Sequence, residues 1–123
     1  MTTIQKFEDL QVWKEGHLLV ISTYLVTKTF PKDELFSLTN QIRRSAVSIT
    51  SNIAEGFGRE TYKDKAHFYQ ISLGSILELQ NQFLIARDIG YMEEVKFYEI
   101  IQQVKKVEML CRGLIKKSRT FYS

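Results

Sequence analysis

Apolar residues recur at helical spacing along most of the chain. Leu10, Trp13, His17, Val20, Ile21 and Tyr24 follow mainly at steps of three and four, and Leu18 and Leu25 widen the stripe. Glu8 and Asp9 place negative charge where a helix starts, and Pro31 disfavours helical geometry in the residue before it. The pattern predicts a helix over about 8–29, with His17 as a hydrogen-bonded core histidine. Pro31 to Asp33 then makes a short connection, so a second helix, about 33–56, folds back antiparallel. Its apolar stripe is Leu35, Leu38, Ile42, Ala46, Ile49 and Ile53. Beside it, at about 100° per residue, runs a polar stripe of Gln41, Ser45, Ser48, Asn52 and Glu55.

The second helix is unusual in one respect. From Ser45 to Ala54 no residue is charged, and Ser45, Ala46, Ser48, Ser51 and Ala54 are small. Val47 and Ala54 fall on a further side. One bundle core cannot cover all three surfaces, so the expectation is a helix enclosed on several sides, partly by another subunit. The alternative is an exposed Ser/Ala face.

Gly56-Phe57-Gly58 should end that helix, with glycine in the left-handed conformation. Thr61, followed three residues later by Asp64, resembles a capping box. It opens a third helix over about 61–88, with rows Phe68, Ser72, Ser75, Leu79, Phe83 and Tyr69, Leu73, Ile76, Leu84. Gly74 in mid-helix costs about 1 kcal/mol, and close approach to the Ser/Ala face would explain it. Gly90 closes this helix. A fourth, about 93–118, points Phe97, Ile100, Ile101, Val104, Val107, Cys111, Leu114 and Ile115 inward, and Lys105, Arg112, Lys116 and Arg119 outward on one stripe. The prediction is all-α: a single domain over 1–123 folded as an up-down-up-down four-helix bundle.

Composition fits this picture. The 123 residues are 44% hydrophobic and 25% charged, with one proline and six glycines, which leaves little material for many turns. Net charge is only +3, but Lys105 to Arg119 holds six cations against Glu108 alone. A basic end suits an anionic partner or merely complements a helix dipole. The lone Cys111 cannot form an intrachain disulfide and sits on a core pattern, so a reducing, cytoplasmic setting is expected. No apolar run suggests a signal peptide or a membrane span.

Candidate chemistry is thin. A di-iron bundle needs Glu-x-x-His pairs on two helices. Here Asp64 precedes His67 by three residues, but Lys14 stands before His17. No metal or other cofactor is expected. There is no G-x-S-x-G elbow or P-loop, and the aromatics fall at core spacing, so no enzyme is expected. The cations remain. Arg43, Arg44, Lys63, Lys65, Lys105, Arg112, Lys116 and Arg119 are candidate phosphate contacts. Salt bridges to Glu55, Glu60 and Asp64 are the alternative, favoured for Arg59. Ser45, Ser48, Asn52, Glu55 and Arg59 are candidate oligomer or structural contacts.

Several stretches resemble the four-helix-bundle proteins named for the 23S rRNA intervening sequence. They are Leu10-Gln11-Val12-Trp13, Tyr24 to Pro31 with Glu34, Leu38, Gln41 to Ala46, Ser48-Ile49, Ser51 to Gly56, Gly58-Arg59, Phe68, Gly74-Ser75 and Glu78-Leu79. Two positions depart from the family pattern: Thr50, where proline is frequent, and Gly16, where alanine is usual. The resemblance implies a ring-shaped homopentamer and a role alongside RNA or DNA. Some members are encoded within insertions in rRNA genes. A related branch, the accessory proteins of diversity-generating retroelements, binds nucleic acid and a reverse transcriptase. The leading expectation is therefore a non-enzymatic oligomeric bundle that binds RNA or DNA. The rivals are a scaffold for a protein partner such as a reverse transcriptase, and a metal-dependent enzyme.

Overall fold

The computed structural model describes residues 3–121. It contains four α-helices, α1 (Gln11–Thr27), α2 (Leu38–Phe57), α3 (Tyr62–Asp88) and α4 (Glu94–Arg119), with short 3-10 turns at Phe7–Asp9 and Lys32–Glu34 and no strand among the described residues. α1 packs on α2 and α4, and α3 packs on the same two, while the diagonal pairs make no backbone approach. Short links between successive helices make this an up-down-up-down bundle. Its core comprises Leu19, Ile42, Ala46, Ile49, Ile53, Ile76, Leu79, Phe83, Val104, Val107 and Cys111, all fully or almost fully buried. No helix is long and apolar enough to cross a membrane among the described residues.

The buried face of α1 differs from the expected stripe. Val12, Gly16, Leu19, Thr23 and Thr27 point inward. Trp13, His17 and Tyr24 lie to one side, and Ile21 faces solvent. The reason is proximity to α2: a Cβ on Gly16 would stand 3.1 Å from Thr50 Cγ2 and 3.7 Å from Ile49 Cγ2. A side chain at position 16 would crowd Thr50, so the contact with α2 falls on a glycine there. The threonines tolerate burial because each hydroxyl donates to a carbonyl of its own helix, Thr23 to Leu19 at 2.7 Å and Thr27 to Thr23 at 2.8 Å. His17 is exposed rather than a core histidine; its ring stacks on Trp13 at 4.8 Å.

The connection to α2 is also longer than expected. Phe30 is buried, and Tyr91 Oη donates to Glu34 Oε2 at 2.9 Å, pinning the connector to the α3–α4 link. α2 therefore begins at Leu38, and Leu35 is 44% exposed instead of joining the core stripe.

Three glycines play other parts than the sequence suggested. α2 runs through Gly56 to Phe57, and Gly58 has φ −77, so neither glycine is left-handed. Gly56 is required by crowding: a Cβ there would lie 2.7 Å from Tyr69 Cε1 and 3.0 Å from Phe68 Cβ. Gly74 is the reverse, with nothing within 4 Å of its missing Cβ. Among the described residues Gly90 alone has positive φ, at 89. There Tyr91 N donates to Ala86 O at 2.9 Å and Gly90 N to Arg87 O at 3.0 Å, the paired bonds of a Schellman cap. Thr61 caps α3, its hydroxyl accepting from Asp64 N at 3.1 Å.

Candidate nucleic-acid interface

The fourth helix carries its cations at seven-, four- and three-residue steps, which keeps Lys105, Arg112, Lys116 and Arg119 on one face. All four are exposed. Their Cα positions span about 21 Å along the axis. Arg112 Nε donates to Glu108 Oε2 at 2.9 Å. Lys105, Lys116 and Arg119 enter no ion pair among the described residues.

Arg112, Lys116 and Arg119 rim a groove of about 620 Å³ between α3 and α4. Leu73, Leu77 and Ile115 line it, with Gln70 and Gly74 on the α3 side. The absence of a side chain at Gly74 keeps that wall low. Gln70, Gly74 and Leu77 were not singled out as site residues from the sequence; the groove they share with the cations exists only once α3 and α4 are docked.

The remaining candidate cations are dispersed. Arg43 and Arg44 line a separate groove of about 490 Å³ with Tyr24, Asn40, Val47 and Ser48. It lies at the α1–α2 seam, on the side of the bundle away from the α3–α4 seam. Arg43 is held there: Nε donates to Thr27 Oγ1 at 2.9 Å, and its guanidinium sits 4.7 Å above the Tyr24 ring. Arg44 is exposed and enters no ion pair among the described residues.

At the turn between α2 and α3, Lys65 Nζ donates to Phe57 O, a terminal carbonyl of α2, and burial lowers its pKa. It acts as a helix cap rather than a free cation. Arg59 pairs with Glu55 at 3.5 Å and lies 4.5 Å above the Phe68 ring. Lys63 is exposed in the first turn of α3. The end of α4 meets this turn, where Tyr62 and Phe121 stack at 4.7 Å.

The uncharged stripe of α2 finds its partners inside the chain. Ser45 is buried. The Ser48 and Ser75 hydroxyls are 2.8 Å apart, and Asn52 Nδ2 donates to Ser48 O at 2.9 Å and Ser48 Oγ at 3.0 Å. Ser72 Oγ donates to Ile49 O at 2.8 Å. The Ser48–Ser75 and Ser72–Ile49 bonds sew α2 to α3, as the small side chains allow, and Asn52 braces Ser48 from within α2.

Elsewhere the titratable groups are placed for packing. Cys111 is buried, donates to Tyr69 O at 3.4 Å, and has its pKa raised by burial to about 11. Burial likewise raises that of Tyr69 to about 12. Among the described residues no three His, Cys, Asp or Glu side chains gather as metal ligands.

No curated protein matches this chain. Its fold is similar to the crystal structure of a protein of unknown function, from the S23 ribosomal protein family, of Bacteroides thetaiotaomicron. That likeness has a TM-score of 0.78 at 20% identity and covers 85% of this chain and 95% of that one. The model of the 23S rRNA-intervening sequence proteins matches residues 8–113, from the first 3-10 turn to the last third of α4, and the chain belongs to that family.

Proposed function

We propose that this protein is a non-enzymatic, self-associating bundle that binds RNA or DNA along the α3–α4 groove. One observation carries the reading: Arg112, Lys116 and Arg119 rim a single groove, and Lys105 extends their row two turns back along α4. A row of about 21 Å matches about six phosphate steps of one strand. Three of the four cations have no competing carboxylate among the described residues. Such contacts supply affinity without base readout, so binding tolerates sequence and depends steeply on salt.

Self-association is supported by a second feature. Leu18, Ile21 and Leu25 are 54%, 48% and 58% exposed along the outer side of α1. Contiguous apolar surface of this kind marks an interaction site. A ring of five is what the family likeness suggests for the assembly.

Fluorescence anisotropy with labelled structured RNA and duplex DNA, at about 50 and about 200 mM salt, tests the binding. The expected result is binding of both, lost progressively as salt rises. No binding at the lower salt removes the proposal.

A further inference from the structure

Among the described residues the most exposed large apolar side chain is Phe36, at 90%. It lies in the short connector before α2, between exposed Leu35 and Ser37. The connector is ordered by its own hydrogen bonds, Glu34 N to Pro31 O and Ser37 N to Glu34 O, each 3.0 Å. It is also tied down from outside by the Tyr91–Glu34 bond and by packing of the Phe30 and Tyr91 rings at 5.6 Å. Phe36 is thus a phenyl ring held out into solvent by a fixed support.

At the same end of the bundle the α1–α4 seam leaves an open groove of about 500 Å³, lined by Leu25, Val26, Thr29, Tyr91 and Met92 and bordered by Glu93 and Lys96. Phe36 precedes α2 and does not fill this groove in its own chain. We infer that Phe36 docks in the α1–α4 groove of a second copy of this chain. This inference rests on the self-association reading and names its contact.

Three features favour a second copy over an unrelated partner. The chain carries both halves, an aromatic knob and an unfilled apolar groove. Their charges are complementary: exposed Lys32 and Asp33 flank the knob, Glu93 and Lys96 border the groove, and docking would set one cation and one anion against one of each. The groove is also continuous, through Leu25, with exposed Leu18 and Ile21 on α1, which the same docked copy covers. A docked phenyl ring buries about 150–250 Å², and the rigid connector avoids much of the ordering cost of binding. Because knob and groove occupy different places, the contact is heterologous: each copy gives one ring and receives another. Such contacts close into rings or run on as filaments, according to the rotation between copies.

Sedimentation velocity on the full chain tests this. The wild type should sediment as an assembly, and Phe36→Asp as a 14.4 kDa monomer. Phe36→Ala should raise the dissociation constant by about 10-fold or more. Phe36 is exposed, so both variants should keep the wild-type helical circular dichroism, and their thermal midpoint should match that of the wild type diluted until it dissociates. Leu25→Arg, which blocks the groove, should also give monomers. Mixing Leu25→Arg with Phe36→Asp should restore a pairwise species, since one supplies the knob and the other the groove. A wild-type assembly unchanged by Phe36→Asp overturns the inference and leaves self-association standing. A wild type that stays monomeric, whatever else Phe36 binds, overturns both.

Discussion

Removing Lys116 and Arg119 gives a quantitative test of the groove. Of the eight candidate phosphate contacts, Arg43 and Lys65 are tied to Thr27 and Phe57. On the α4 row Lys105, Lys116 and Arg119 are free of ion pairs among the described residues, and Arg112 is shared with Glu108. Counting three released counterions, the slope of log affinity against log salt for duplex DNA should be about −2.7. Between about 50 and about 200 mM salt the affinity then falls about 40-fold. The Lys116→Gln, Arg119→Gln variant retains one free cation, so its slope should drop to about −0.9 and the loss over the same range to about 3.5-fold. Glu108→Gln frees Arg112 and should steepen the wild-type slope to about −3.6. Arg44→Gln, at the opposite seam, should leave the slope unchanged. Anisotropy titrations at four or more salt concentrations read all of these. An unaltered slope in the Lys116, Arg119 variant, or an equal flattening by Arg44→Gln, refutes the placement of the site.

Other perturbations separate packing from function. Gly56→Ala gains helix propensity but drives a methyl toward Tyr69 Cε1 and Phe68 Cβ, so overpacking should leave it destabilised by about 1–3 kcal/mol. Gly74→Ala meets no atom within 4 Å and should stabilise by about 1 kcal/mol; urea melts of the two should shift in opposite directions. Cys111 should resist thiol reagents in the native state and react only on unfolding, as labelling with and without denaturant will show. Cys111 and Tyr69 both have raised folded pKa values, about 11 and about 12. The unfolded chain loses these protons first, so stability should fall as pH rises above about 9, by up to about 1.4 kcal/mol per pH unit for each group. A flat stability profile from pH 8 to pH 11 would contradict their burial.

Much of the bundle can be read from periodicity alone, and the exceptions have definite causes. The two rows of α3 and the inward row of α4 stand out because large apolar residues alternate with charge. The Thr61 cap and the Gly90 stop carry local signals that need no partner. α1 misleads because it is apolar on nearly every side. Its true core line contains Gly16, Thr23 and Thr27, which no hydrophobic scale selects. Gly16 is buried because Thr50 lies against it, and these are the two positions that depart from the family pattern. A glycine where alanine is usual makes room beside a Thr50 side chain whose Cγ2 occupies the contact. The roles of Gly56 and Gly74 are exchanged for a similar reason: crowding at a glycine depends on which residues the other helix presents.

Of the candidate site, the α4 row was legible because its spacing alone fixes one face. The groove was not, since Gln70, Gly74 and Leu77 become neighbours of those cations only through helix packing. Nor could sequence show that Arg43 and Lys65 are held by Thr27 and Phe57, across 16 and 8 residues. The Ser48–Ser75–Asn52 network shows the same limit: small residues on the second and third helices mark a close approach without showing which hydroxyls pair across it.

The most direct test of the binding surface is ultraviolet cross-linking to a structured RNA, followed by peptide mapping. Cross-links are expected within 70–77 and 105–119, the two walls of the α3–α4 groove. Cross-links confined to 24–48, around Tyr24, Arg43 and Arg44, would place the site at the α1–α2 seam instead.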